Sequence, residues 1–227
     1  MEDLSNWTPR PRPQRIVLEG RYVRLEPLSA AKHGDGLYRA ATEGESDARF
    51  RWLFETTPPD WATFDAWLAK VEASEDPLFF AVIDKATGEA VGRQTLMRID
   101  PTYGVIEIGN IHWGPKMQRS RLSTEAQYLF AKYVFDDLGY RRYEWKCNNR
   151  NEPSKRAAER FGFSFEGIFR QHLVVKGENR DTAWYSIIDK EWPALKRAYE
   201  AWLDPANFDS AGKQKRRLED LRPLQVE

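Results

Sequence analysis

Apolar side chains recur at three- and four-residue steps through Leu122, Ala126, Leu129, Phe130, Tyr133, Val134 and Leu138, the spacing that puts one buried stripe on an α-helix. The segment 114–139 is therefore expected to be a polar turn feeding an amphipathic helix. Ser120, Ser123 and Thr124 are candidate caps, Thr124 with Gln127 has the S/T-x-x-E/Q form of a capping box, and Gly139 follows the last periodic residue as a stop. The first-turn amides of such a helix lack internal partners and carry the positive end of its dipole, so this start suits a phosphate or pyrophosphate. Gln118, Arg119 and Arg121 stand beside it. An ordinary surface helix with solvated arginines has the same local pattern, and this stretch alone leaves both readings open.

Elsewhere the pattern switches between strand and helix. Residues 15–26 alternate apolar and charged positions around Gly20, as a strand or short hairpin does, and 30–42 read as a helix with Ser29 as its cap and Gly44 beyond it. Large aromatics follow, at Phe50, Trp52, Phe54, Trp61, Phe64 and Trp67. Phe64, Trp67, Leu68 and Val71 fit one helical face, which favours packing over a ligand-lining role. The continuous apolar run LFFAVID at 78–84 predicts a strand covered on both faces. Strands are expected at 89–99 and 105–113, the second carrying Gly109, where a strand bulges or another group comes close. A strand at 142–147, a short helix at 151–161 stopped by Gly162, strands at 163–175 and 182–189 around the turn KGENRD, and a closing helix at 191–203 complete the pattern. Pro9, Pro11 and Pro13 mark residues 1–14 as an extended surface segment. One domain is expected over 15–205, followed at 206–227 by a charged, loosely held tail whose basic run is solvated.

Composition narrows the function classes. The 227 residues carry 35 basic and 35 acidic side chains, enough chain for a substantial core and no net charge to draw nucleic acid or a membrane surface. Neither is expected as a partner. Cys147 has no second cysteine to pair with, and there is neither a signal-like apolar start nor an apolar run near 18 residues, so a cytoplasmic monomer or homodimer is expected. His33, His112 and His172 stand far apart without metal-ligand spacing.

Two motifs in order give the chain a family resemblance. EIGNIHWGPKMQRSRLSTEA at 107–126 resembles the strand, turn and helix start that bind acetyl-CoA in the GNAT superfamily of N-acetyltransferases, and NEPSKRAAERFGF at 151–163 resembles its later N-x-x-S, then G-F, motif. LEPLS at 25–29 and FEGIFRQ at 165–171 are similar to the RimJ/RimL-like branch, which acetylates amino termini of ribosomal proteins. The resemblance covers about residues 16–195. It implies an α+β, three-layer fold with a mixed, mostly antiparallel central sheet flanked by helices. It also implies acetyl-CoA as cosubstrate, with no metal, and acetyl transfer to the primary amine of a protein amino terminus or a small molecule.

The family turn runs Q/R-x-x-G-x-G/A, and here it reads Gln118, Arg119, Ser120, Arg121, Leu122, Ser123. Arg121 and Ser123 thus stand where small residues let the backbone approach a pyrophosphate. An arginine side chain can still bind phosphate, and a non-glycine backbone with helical angles still presents its amides. The segment between Gly109 and Gly114 is one residue longer than the usual form, which leaves the register around His112 open.

By the resemblance, Gln118 to Thr124 hold the pyrophosphate, Asn151 holds the pantetheine arm, Glu107 takes the amine proton and Ser154 gives the leaving thiolate a proton or a hydrogen bond. Amides of the 105–113 strand would stabilise the oxyanion. On residue chemistry alone, Glu107 serves equally well as a salt-bridge partner, and Asn151, Pro153 and Ser154 as helix-start residues. Cys147 reads as a small buried apolar side chain rather than a nucleophile. Two further functions stay open: a catalytically silent domain binding CoA or another anion, suggested by Arg121 and Ser123, and a ribosome- or RNA-associated binder, suggested by the basic tail with Arg141 and Arg142.

Overall fold

The computed structural model describes residues 3–222. The expected hairpin forms from β1 (Leu18–Glu19) and β2 (Val23–Pro27), followed by three helices, α1 (Ala30–Thr42), α2 (Ser46–Phe50) and α3 (Trp61–Glu72). Strands β3 (Leu78–Asp84), β4 (Ala90–Asp100) and β5 (Val105–Trp113) come next. Helix α4 (Arg121–Lys132) leads through a wide π-type turn to β6 (Arg142–Asn148). The chain continues through α5 (Glu152–Arg160), β7 (Ser164–Val175), β8 (Glu178–Ile188) and α6 (Trp192–Leu203).

All eight strands form one sheet in the order β1-β2-β3-β4-β5-β6-β8-β7. Every neighbouring pair is antiparallel except β5 and β6, which the crossover through α4 makes parallel. The run LFFAVID is continuous because β3 is covered twice. Leu78, Phe80 and Val82 join the core under α4 and α6, whereas Phe79, Ala81 and Ile83 join the core under α1 and α3. Burying each such side chain contributes about 1.5–3 kcal/mol. Three layers result, as the resemblance implies. Among the described residues no helix is long and apolar enough to cross a membrane.

Several local details differ from the pattern reading. Helix α4 is capped by Ser120, whose Oγ accepts from the Leu122 amide at 3.2 Å, while Thr124 and Gln127 lie buried within the helix and form no capping box. Ser29 stands at the α1 N-cap but makes no side-chain cap; instead its amide donates to His33 Nδ1 at 3.0 Å. The turn between β7 and β8 is only Lys176 and Gly177, so β8 begins earlier than 182.

The charged tail is held, not loose, as far as it is described. Leu218 is buried, Phe208 bridges Gln214, and Arg222 donates to the Glu159 carbonyl at 2.9 Å. Lys213, Lys215, Arg216 and Arg217 are nevertheless exposed, as a solvated run should be; residues 223–227 lie outside the described residues. The N-terminal segment lies extended against the body, with the Trp7 indole donating to the Thr102 carbonyl and the Gln14 amide to the Tyr133 hydroxyl.

Candidate active site

Pairing between β5 and β6 ends at Ile108 and Trp145. Beyond that point the strands run on, β5 to Trp113 and β6 to Asn148, and a cleft of about 1580 Å³ opens between them and α4, α5 and the segment around α2. That exceeds the roughly 300–1,000 Å³ typical of one small ligand, so there is room for two substrates end to end. Nine Arg and Lys side chains reach this cleft against two carboxylates, Glu45 and Glu107, among the described residues. Its charge suits a polyanion.

The end at α4 is where the pattern places its expected anion site. Gln118, Arg119, Ser120, Arg121 and Ser123 line it. Leu122 and Thr124 do not: Leu122 packs against the core, and the buried Thr124 hydroxyl accepts from Arg160 Nη1 at 3.0 Å. The missing glycines are accommodated by where the strain falls. Arg121 and Ser123 lie in the first turn of α4, where helical angles suit any residue, and the left-handed conformation is taken by Arg119, at φ 53°. The Arg121 guanidinium lies 4.4 Å over the Tyr22 ring.

The residue that lengthens the 109–114 segment is absorbed in β5. Gln94 faces both Asn110 and Ile111, a β-bulge with Asn110 at φ 45°. Arg93, wholly buried and with its pKa pushed down to about 10 by that burial, donates to the Asn110 carbonyl at 2.8 Å and to its side-chain oxygen. Glu55 completes the clamp, accepting from Asn110 Nδ2 at 3.1 Å. At Gly109 a Cβ would collide with Met97 Sδ, so the close approach expected at this glycine is also present. His112 packs tilted against the Phe50 ring at 4.5 Å, and burial beside Arg93 and Arg49 holds its imidazole pKa down to about 3, so it is neutral.

Glu107 faces the cleft, 3% exposed. It is a salt-bridge partner: Arg98 Nη1 lies 2.6 Å away and Lys146 Nζ 2.9 Å away. Arg98 reaches it from a bulge in β4, where the Asp76 carboxylate accepts the Arg98 and Ile99 amides. Lys146 also pairs with Glu144 at 2.6 Å and sits 3.6 Å over the Trp184 ring. The two cations hold the Glu107 carboxylate in place on the cleft wall. Trp52 and Phe54 line the same end of the cleft, whereas Trp61 turns away and packs edge-on against Tyr38 at 5.3 Å.

Across the cleft, Asn151 caps α5, its Oδ1 accepting from the Ser154 amide at 3.2 Å. The capping role thus accounts for its carbonyl and leaves its NH₂ to donate. Ser154 Oγ accepts from the Trp145 indole at 3.0 Å, so its own O–H is left to donate, with the neighbouring Cys147 sulfur in reach. Cys147 beside it is buried, and burial raises its thiol pKa, so it is no nucleophile at neutral pH.

The pattern reading missed Arg93, Arg98, Lys146 and Arg160. Only Lys146 carried a signal: in RYEWKCN, period-two alternation puts Arg142, Glu144 and Lys146 on one face, and the parallel register sets Glu144 beside Glu107.

A family model described as an acetyltransferase (GNAT) domain matches residues 23–164. The chain is 31% identical over 159 residues to the "Putative ribosomal N-acetyltransferase YdaF" of Bacillus subtilis (strain 168), covering 64% of this chain and 81% of that one. Among solved structures, a GCN5-related N-acetyltransferase from Brucella melitensis is 66% identical, with a TM-score of 0.95 over 96% of this chain and 99% of that one. The fold is also similar to the microcin C7 self-immunity acetyltransferase MccE, solved in complex with acetyl-CoA and AMP, at 18% identity, 74% and 93% coverage and a TM-score of 0.65.

Proposed function

Because the chain belongs to the GNAT family of acetyltransferases, enzymes that transfer an acetyl group to an amine, we propose that its donor is acetyl-CoA and its acceptor the α-amino group of a protein or peptide. The observation that carries the acceptor is the ion-paired state of Glu107. A carboxylate fixed by two cations at the cleft wall can take up one proton, and an amine that is already partly neutral asks least of it. At pH 7.5 an α-amino group, with a reference pKa near 7.8, is about one-third neutral, and a lysine amine only about 0.1%. The similarity to YdaF, named as a ribosomal N-acetyltransferase, supports an amino terminus of the RimJ/RimL-like kind.

The residues divide the work along the cleft. The α4 start, with Gln118, Arg119, Ser120, Arg121 and Ser123, offers amides and guanidinium groups to the pyrophosphate. Asn151 offers its NH₂ to the pantetheine arm. The edge of β5 beyond Ile108 offers backbone amides where negative charge develops on the acetyl oxygen. Glu107 receives the proton released by the attacking nitrogen, directly or through water, and the Ser154 hydroxyl, its oxygen steadied by the Trp145 indole, donates a hydrogen bond to the departing thiolate, which takes its proton from water. The lone buried Cys147 is consistent with a cytoplasmic setting.

The test is a thiol-release assay with three peptides: a free amino terminus and no lysine, a blocked terminus with one lysine, and neither amine. The first should be acetylated at least about a hundredfold faster than the second at pH 7.5, following the neutral fractions. A preference for the lysine peptide would defeat the α-amine assignment, and absence of any thermal stabilisation by acetyl-CoA would defeat the donor assignment.

A further inference from the structure

The cleft has a wall that lies outside the matched family segment. After α6 the chain doubles back through residues 204–222, and Phe208, Gly212, Lys213 and Gln214 from this strap line the cleft together with Trp202, Arg160 and Arg121. The strap is built, not draped. Asp209 folds its turn by accepting the Ala211 and Lys213 amides, and Lys215 donates its amide to the Asn207 carbonyl. The Trp202 indole donates to Gln214 Oε1 at 2.8 Å, Leu218 is 1% exposed, and Arg222 ties the far end to α5.

The strap gathers charge around aromatic rings. Arg160 lies over the Trp202 ring at 5.1 Å and touches the first turn of α4 through Thr124. Arg121 lies over Tyr22 at 4.4 Å and Phe208 at 5.7 Å. Neither guanidinium, nor the Lys213 ammonium, has a carboxylate within 4.0 Å among the described residues. The nearby acids are engaged elsewhere: Asp209 with strap amides, Glu219 with Arg217. Arg121 and Arg160 thus flank the packed Phe208 and Trp202 rings beside the α4 start, and Lys213 of the strap lines the same cleft. A second anionic group, next to the pyrophosphate, would neutralise them.

We propose that the strap forms a subsite for a phosphate monoester on the nucleotide end of the donor, the 3′-phosphate of CoA, with Lys213 as its recognition cation and Arg121 and Arg160 as its support. This rests on the acetyl-CoA reading above. It distinguishes CoA from 3′-dephospho-CoA, which keeps the pyrophosphate and the pantetheine arm but lacks that group.

Equilibrium binding of the two ligands, by calorimetry on the full chain, tests it. The parent should bind CoA about tenfold or more tightly than 3′-dephospho-CoA, the worth of one charge-assisted contact. Lys213→Glu, an exposed change that leaves the Asp209 turn intact, should abolish most of that preference by weakening CoA alone, and Lys213→Arg should keep it. Equal parent affinity for the two ligands would overturn the subsite, as would equal losses for both in Lys213→Glu. If the parent binds neither ligand, the donor reading fails and the subsite falls with it.

Discussion

Replacing Glu107 with Gln separates a base from a structural ion-pair partner, because the structure predicts different costs for the two roles. Removing one member of a buried pair typically costs about 3–5 kcal/mol, since the other charge is left stranded. Here neither partner is stranded. Lys146 keeps Glu144 at 2.6 Å and the Trp184 face at 3.6 Å, and the Arg98 side chain, 44% exposed, can turn to water. Gln also retains an acceptor oxygen, so the expected loss of stability is about 1–2 kcal/mol. The rate of acetyl transfer should fall far more, roughly 10²–10⁴-fold at pH 7, the usual worth of a positioned base. That loss should shrink as pH rises through the α-amine pKa near 8, because the nucleophile then arrives without its extra proton. Single-turnover thiol release from pH 6 to 10, with the melting temperature measured alongside, reads both quantities. Equal rates for parent and Glu107→Gln across that range, with chemistry rate-limiting, would remove Glu107 from proton transfer. A rate loss that persisted undiminished at pH 10 would mark it as a positioning residue.

Ser154→Ala should lower the single-turnover rate at every pH from 6 to 10, because the leaving thiolate lacks its hydrogen-bond donor however neutral the amine is; recovery at high pH would refute that role. Trp52→Ala should raise the acceptor KM with little change in melting temperature, whereas Trp61→Ala should cost about 1–2 kcal/mol of stability, leaving acceptor KM unchanged, because Trp61 packs on Tyr38 away from the cleft. The reverse assignment of the two effects would exclude Trp52 from the acceptor site. His112 has a folded-state pKa pushed from 6.5 down to about 3, so the unfolded chain binds the extra proton between those values. Its contribution to stability is present above about pH 6.5 and is lost as pH falls through that window, at up to about 1.4 kcal/mol per unit. His112→Phe keeps a ring against Phe50 and removes that slope, so in denaturant titrations the variant should gain on the parent from pH 6.5 to 4. A difference independent of pH would refute the buried neutral state.

Local pattern was enough to specify the elements and their order, apart from the short helix α2, which it did not show. Periodicity of 3.6 or 2 is a property of neighbours along the chain, and α4, β3, β5 and α6 read from it within a residue or two at most ends. The helix start near Ser120 was legible for the same reason, because turn and cap chemistry are local, whereas Glu107 and Ser154 stood out only through the family resemblance. What each of those residues touches was not legible. Glu107 and Lys146 are separated by a strand end, a helix and a turn, and they meet only because the α4 crossover lays β6 parallel to β5 in one register. Arg98 reaches the same carboxylate through a β4 bulge held by Asp76, a contact with no period to announce it. The strap beyond α6 is the clearest case. Its composition is that of a solvated tail, and its basic side chains are solvated, yet Leu218, Gln214 and Asn207 find partners on the folded body that no stretch of neighbouring sequence could reveal. Long-range packing, which balances the entropy of ordering a segment against burial it cannot achieve alone, decided that this tail is part of the cleft.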